Sequence, residues 1–284
     1  MRRLGQHFLK NRSIAKKIVV ALDLRSDETV IEIGPGHGEF TVPLLKAAER
    51  VGATVLAIER DRALVPALAE RAAASSGLLL IVEGDALAQL PDIIRTIAIG
   101  KNGAGSSAPY VLAGNIPYYI TGKLLRIVGE LEHKPRVAAF MVQKEVAERI
   151  CAAPPSMNRL AASVQFWAEP TIIATVPRED FSPPPEVDSA VILLNIKTSM
   201  PAVAPTLYYK AVRNIFAQPR KTILNNALAL MATIGKKDDV AAALVKIGVD
   251  PNARPQDLGI DQITAIAASD FGDNRNSSYF PLEL

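Results

Sequence analysis

A chain of 284 residues has the length of one large domain, or of a domain with a smaller one behind it. With 49% hydrophobic residues it can bury a full core, its one cysteine (Cys151) excludes an intrachain disulfide and a cysteine-based zinc site, and His7, His37 and His133 are too scattered for metal-ligand spacing. The net charge of +3 is too mild to imply a polyanionic partner by itself, and no apolar run reaches the ~20 residues of a membrane span or forms a signal-peptide core, so a cytoplasmic protein without membrane association is expected.

From the N-terminus, residues 1–22 carry Arg2, Arg3, Lys10, Arg12, Lys16 and Lys17 and no acid. They read either as a solvated helix face or as a basic arm facing phosphates. Residues 29–34 (TVIEIG), 54–59 (TVLAIE), 78–85 (LLLIVEGD) and 110–115 (YVLAGN) are apolar runs without polar alternation, as parallel strands covered on both faces should be. Amphipathic stretches at 40–50, 62–74 and 87–97 lie between them. This strand–helix alternation predicts an α/β fold with a doubly wound, Rossmann-like parallel sheet.

A fifth strand is expected at 137–143, and 163–176 with 189–196 are expected to form a late hairpin on the sheet edge. The KNGAGSS stretch, 101–107, reads as a surface loop. Near residue 200 the pattern becomes helical, with segments at 206–217, 219–231, 238–247 and 255–268, and Pro219 and Pro255 stand where a first helical turn tolerates proline. The division expected is 1–199 for an α/β domain and 200–284 for a small all-helical one, with the last dozen residues loose.

The first strand runs into Glu32-Ile33-Gly34-Pro35-Gly36-His37-Gly38. Glycines at such a turn allow backbone to approach a ligand closely, although an ordinary tight turn would look similar. Glu59 ends the second strand, placed to accept hydrogen bonds from two ribose hydroxyls or, equally, to sit solvated at a strand end. Asp85 follows the third strand, placed to take a hydrogen bond from a cofactor's adenine amine or to cap a helix. In open sheets ligands bind at the carboxyl ends of strands, so three such features in register reinforce one another.

The fourth strand runs into Asn115-Ile116-Pro117-Tyr118, which resembles the N-[LI]-P-[YF] signature of adenine and cytosine amino-methyltransferases. The alternative is an Asn-x-Pro turn. An exocyclic amine donates its lone pair into the ring and is a poor nucleophile. An Asn oxygen and a nearby backbone carbonyl, each accepting one N–H, favour a pyramidal nitrogen with its lone pair aimed at a sulfonium methyl. Pro117 removes a donor and extends the residue before it. Tyr118 offers a face for the base, worth roughly 1–3 kcal/mol. Phe181, on the proline-stiffened stretch Phe181-Ser182-Pro183-Pro184-Pro185, is expected to add a second stacking face rather than serve as a buried anchor.

Together with residues 4–9 (LGQHFL), 141–149 (MVQKEVAER), 181–191 and Arg220-Lys221-Thr222, these motifs resemble the bacterial small-subunit ribosomal RNA adenine N6,N6-dimethyltransferases, the KsgA/RsmA family, over nearly the whole length. The resemblance implies a class I methyltransferase domain. Its donor would be S-adenosyl-L-methionine, its product S-adenosylhomocysteine, and no metal would be needed. It implies dimethylation of two adjacent adenines in the loop of the 3'-terminal helix of small-subunit (16S) ribosomal RNA, within an immature subunit, by a monomer.

On this chain His7, Leu9, Gly34, Gly36, Glu59, Asp85 and Asn115 would meet the cofactor. Asn115, Pro117, Tyr118 and Phe181 would meet the target base. Arg2, Arg3, Lys10, Arg12, Arg213, Arg220 and Lys221 would meet RNA phosphates without reading sequence. The chain departs from the family at His7, where many members carry Asn, and at Pro219, where a basic residue is common. The rivals are a large-subunit RNA adenine methyltransferase of the macrolide-resistance type and a non-catalytic assembly or transcription factor of the same fold.

Overall fold

The computed structural model describes residues 6–99, 108–228 and 236–269. Arg2, Arg3, the loop 101–107 and the last dozen residues lie outside them. The chain divides into two compact units, Met1–Glu148 with Glu169–Ile196, and Arg149–Ala168 with Lys197–Leu284.

In the first unit, a short strand β1 (Phe8–Leu9) leads into α1 (Arg12–Leu22). Asn11 caps α1 by accepting from Ser13 N, and Ile14, Ala15, Ile18 and Leu22 turn one stripe of it into the core. Then β2 (Thr29–Ile33), α2 (Thr41–Val51), β3 (Thr54–Glu59), α3 (Val65–Ala73), β4 (Leu79–Glu83), α4 (Ala86–Ile99) and β5 (Tyr110–Asn115) alternate as their hydrophobic runs require. In chain order they are followed by α5 (Thr121–Glu130), β6 (Val137–Gln143), α6 (Lys144–Ile150), then α7 (Arg159–Gln165) in the second unit, and β7 (Ala168–Val176), β8 (Phe181–Ser182) and β9 (Ser189–Ile196) back in the first.

The main sheet has seven strands in the order β4-β3-β2-β5-β6-β9-β7. Strands β4 through β6 pair in parallel, and β9 is antiparallel to β6. The apolar residues of β2, β5 and β6 are buried almost completely, which is why their sequence shows no alternation. Arg136 fastens the sheet's lower edge, donating to both carboxylate oxygens of Glu28 at 2.6 and 2.9 Å and to the carbonyls of Leu22 and Asp23. Separately, β1 pairs with β8, setting Leu9 opposite Phe181.

The second unit contains α7, α8 (Pro205–Ile215), α9 (Ile223–Ala227), α10 (Lys237–Lys246) and α11 (Ile260–Ala268). Its centre is aromatic: Phe166 stacks on Tyr208 with centroids 4.0 Å apart, and the Tyr208 hydroxyl donates to Ala162 O at 3.0 Å. Three expectations change here. Residues 163–165 belong to a helix rather than a strand, because Asn158 caps the amides of Leu160 and Ala161 and starts α7. Pro219 lies in a turn, and α9 begins only after Thr222. Pro255 opens a separate 3-10 turn, Pro255–Asp257, ahead of α11.

Candidate active site

Strand β2 feeds helices toward β3 and β4, while β5 feeds them toward β6, so the order reverses between these two neighbours and leaves a crevice beyond their carboxyl ends. A pocket occupies that crevice. Its walls are the turns after β2, β3, β4 and β5, and the segment from Gln6 to Leu9 crosses it.

One half of the pocket is lined by the glycine turn and two strand-end carboxylates. Gly34 and Gly36 take left-handed backbone, φ +69° and +60°. A side chain at Gly36 would also press on the Phe8 ring at 3.1 Å, so both conformation and space require glycine there. Glu59 is 4% exposed, and each of its oxygens accepts one backbone N–H: Oε2 from Gly36 N at 3.1 Å, Oε1 from Asp61 N at 2.7 Å. Each oxygen keeps a lone pair for a hydroxyl. Of the two roles open to Asp85, the structure shows the helix cap. Its Oδ1 accepts from Leu87 N at 2.9 Å, capping α4, while Oδ2 faces Arg60 Nη1 at 3.9 Å and the pocket.

The other half is the corner after β5. Asn115 Nδ2 donates to the His7 backbone carbonyl at 2.8 Å, which fixes the amide and commits its oxygen to accepting. The Pro117 carbonyl accepts from Ile120 N at 3.0 Å, leaving the Ile116 carbonyl as the corner's other acceptor. The Tyr118 hydroxyl is paired with Ser189 Oγ at 2.9 Å, which anchors the ring at its rim beside the pocket, and partial burial raises its pKa.

A family model for ribosomal RNA adenine dimethylases matches residues 1–269. The chain belongs to that family. Membership makes it an S-adenosylmethionine-dependent methyltransferase. This dimethylase is 38% identical over 262 residues to a "Ribosomal RNA small subunit methyltransferase A" of Dehalococcoides mccartyi, covering 91% of this chain and 84% of the relative. A dimethyladenosine transferase from Plasmodium falciparum superposes with a TM-score of 0.72 at 26% identity, covering 92% of this chain and 96% of that one. The 23S rRNA methyltransferase ErmE shares the fold, with a TM-score of 0.70 at 24% identity over 92% of this chain and 98% of that one. Among the described residues no cluster of side chains has the makings of a metal site, and no helix is long and apolar enough to cross a membrane.

The pocket of the dimethylase brings together His7, Leu9, Gly34, Gly36, Glu59, Asp85, Asn115, Pro117 and Tyr118. It does not include Phe181. That ring is 1% exposed, and it packs in the core with Leu9, Val176 and Val191. Pairing of β8 with β1 turns it inward, which corrects the expectation of a second stacking face at this residue. Lys10, Arg12, Arg213, Arg220 and Lys221 are all exposed.

Sequence reasoning missed Arg60 and Tyr119, which line the mouth, with Arg60 Nη1 reaching the Tyr119 hydroxyl at 3.5 Å. It also passed over Glu32, which is wholly buried, with neither carboxylate oxygen finding a hydrogen-bond partner among the described residues. Burial pushes the Glu32 carboxyl up to about 8, helped by the nearby Glu39 and Glu59 and opposed by Thr41. A charged residue at that strand position is the one available signal, since a buried strand offers water to neither face.

Two expected outcomes follow from these groups. Glu59→Ala should weaken S-adenosylmethionine binding by about 100-fold, the loss of two hydrogen bonds to a charged group, and Glu59→Gln by about 10-fold. Calorimetric titration measures both, and an unchanged affinity in Glu59→Ala would remove the ribose role.

Glu32 should make stability depend on pH. Its folded-state value lies above the usual 4.5, so between 4.5 and about 8 the native chain holds a proton that the unfolded chain has released. That contribution falls as pH rises, by roughly 1.4 kcal/mol per unit. Glu32→Gln should therefore gain on the natural protein more at pH 7.5 than at pH 5.5 in urea midpoints. Parallel curves at the two pH values would contradict the buried neutral carboxyl.

Proposed function

We propose that this protein dimethylates the N6 amines of two adjacent adenines in the loop of the 3'-terminal helix of small-subunit ribosomal RNA, acting in the cytoplasm as a monomer on an immature subunit. The observation that carries the reading is that one pocket is lined both by the glycine turn, Glu59 and Asp85 and by the Asn115-Ile116-Pro117-Tyr118 corner. When bound, S-adenosylmethionine supplies an electrophilic methyl on a sulfonium, a leaving group good enough to need neither a metal nor a strong base.

The chain's own groups do the rest by positioning. Glu59 holds the ribose hydroxyls, and Asp85 Oδ2 takes the adenine amine. Asn115 Oδ1 and the Ile116 carbonyl each accept one N–H of the target amine, turning its lone pair toward the methyl. The methylated nitrogen then sheds its extra proton to solvent. Tyr118 holds the base by stacking.

The division of labour proposed is catalysis in residues 1–199 and RNA or ribosome binding in 200–284. Exposed Lys10 and Arg12 on the one, with Arg2 and Arg3 of the same arm, and Arg213, Arg220 and Lys221 on the other would meet phosphates. Unpaired loop bases cost less to splay into a pocket than paired ones.

The test is mass mapping of methylated nucleosides in ribosomal RNA from cells lacking this protein. Loss of dimethyladenosine at two neighbouring small-subunit loop positions is expected. Loss confined to large-subunit RNA, or no loss, would contradict the reading.

A further inference from the structure

With Phe181 buried, the target corner keeps one aromatic face, Tyr118, where two were expected. A second aromatic stands beside it. The His7 imidazole and the Tyr118 ring are nearly parallel, 23° apart, with centroids separated by 6.1 Å. Both line the pocket, and both flank Asn115, whose side chain is tied to the His7 carbonyl.

Each ring is held at an edge and not across its face. His7 Nδ1 lies 2.8 Å from Pro183 O, so that nitrogen carries the proton and donates, and the Tyr118 hydroxyl is paired with Ser189. Bases stack at about 3.4 Å, so a planar base between two rings needs a centroid spacing of about 7 Å. The present spacing falls short of that by roughly one ångström. That spacing lies within the range of an offset pair in direct contact, so a base enters between the rings only as they part.

We propose that His7 is a substrate-stacking residue: its imidazole and the Tyr118 ring are the two faces between which the target adenine lies, so that the aromatic partner of Tyr118 comes from the N-terminal segment. This rests on the adenine-methylating function proposed above and gives it a specific wall. It also gives the N-terminal segment a double part, its backbone orienting Asn115 and its side chain holding the base. The two contacts that pin the rings at their edges hold both beside Asn115, so a small separation admits the base, and stacking tolerates either of two adjacent adenines because it reads a ring face rather than an edge.

The experiment compares His7→Ala, His7→Phe and His7→Gln in the full-length protein. Transfer to small-subunit RNA carrying the loop gives kcat/KM, and calorimetry without RNA gives S-adenosylmethionine affinity. His7→Ala should lose about 10-fold in kcat/KM for RNA, the effect of one stacking face, with cofactor affinity changed less than about 2-fold. His7→Phe keeps a ring but cannot donate to Pro183, and it should recover most of the loss. His7→Gln keeps a donor but no ring, and it should stay as low as His7→Ala.

Recovery by Gln and not by Phe would show that His7 only anchors the Pro183 loop, overturning the inference alone. So would a loss of cofactor affinity matching the loss in kcat/KM. A natural protein that leaves this RNA unmethylated would overturn the functional reading and the inference with it.

Discussion

Asn115→Ala is expected to lower the methyl-transfer rate by about 1,000-fold at saturating cofactor, the scale seen when one preorganised polar group is removed from a reacting centre. The side chain is partly exposed, so its loss costs the fold little. What disappears is the acceptor proposed to direct the target amine, together with the 2.8 Å bond that ties the amide to the His7 carbonyl. Asn115→Asp separates the two: an ionised carboxylate still accepts but cannot donate to a carbonyl, so it should fall between alanine and the natural residue. Single-turnover transfer to small-subunit RNA is the measurement. A loss smaller than about 10-fold for alanine would mean that orientation by Asn115 is not what catalysis uses.

Gly114→Ala should destabilise the protein by about 3 kcal/mol, the upper part of the range for overpacking, because the obstacle is backbone. Gly114 pairs with Ile33 where β5 lies against β2. A methyl group there would sit 2.5 Å from the Ile33 carbonyl oxygen and 2.9 Å from Ile116 Cδ1. A rotamer change can move the isoleucine tip but not the carbonyl. Relief requires the ends of β2 and β5 to part, and those ends carry Gly34 and Asn115. The urea midpoint should fall without a change in slope, and the folded fraction should lose activity as well. An unchanged midpoint would mean that the two strands do not approach as closely as described.

The parts of the fold that were legible in the sequence are those fixed by one strong local signal. Strands β3, β5 and β6 coincide with their apolar runs because both faces are covered, and the pocket residues of the glycine turn, Glu59 and Asp85 follow from strand ends alone. What escaped depends on pairing that no local pattern carries. Phe181 looks like an exposed aromatic on a proline loop until β8 is seen paired to β1, which rolls the ring into the core. The apolar stretch from Val164 to Ala168 favours a strand, yet Asn158 starts a helix ahead of it and the strand begins only at Ala168. Residues 149–168 contact the C-terminal helices through Met157 N bonding Gln256 O and Tyr208 bonding Ala162 O, links across 99 and 46 positions that spacing does not announce. Glu32 was passed over because its neighbours Glu39 and Glu59 gather round it only in three dimensions.

The most direct test of the account is a crystal structure of the protein bound to S-adenosylmethionine. The ribose hydroxyls should meet Glu59, the adenine amine should reach Asp85 Oδ2, and the methyl carbon should point into the corner formed by Asn115 and Tyr118. Donor density elsewhere, or a methyl directed away from Asn115, would contradict the placement on which every step proposed for this enzyme depends.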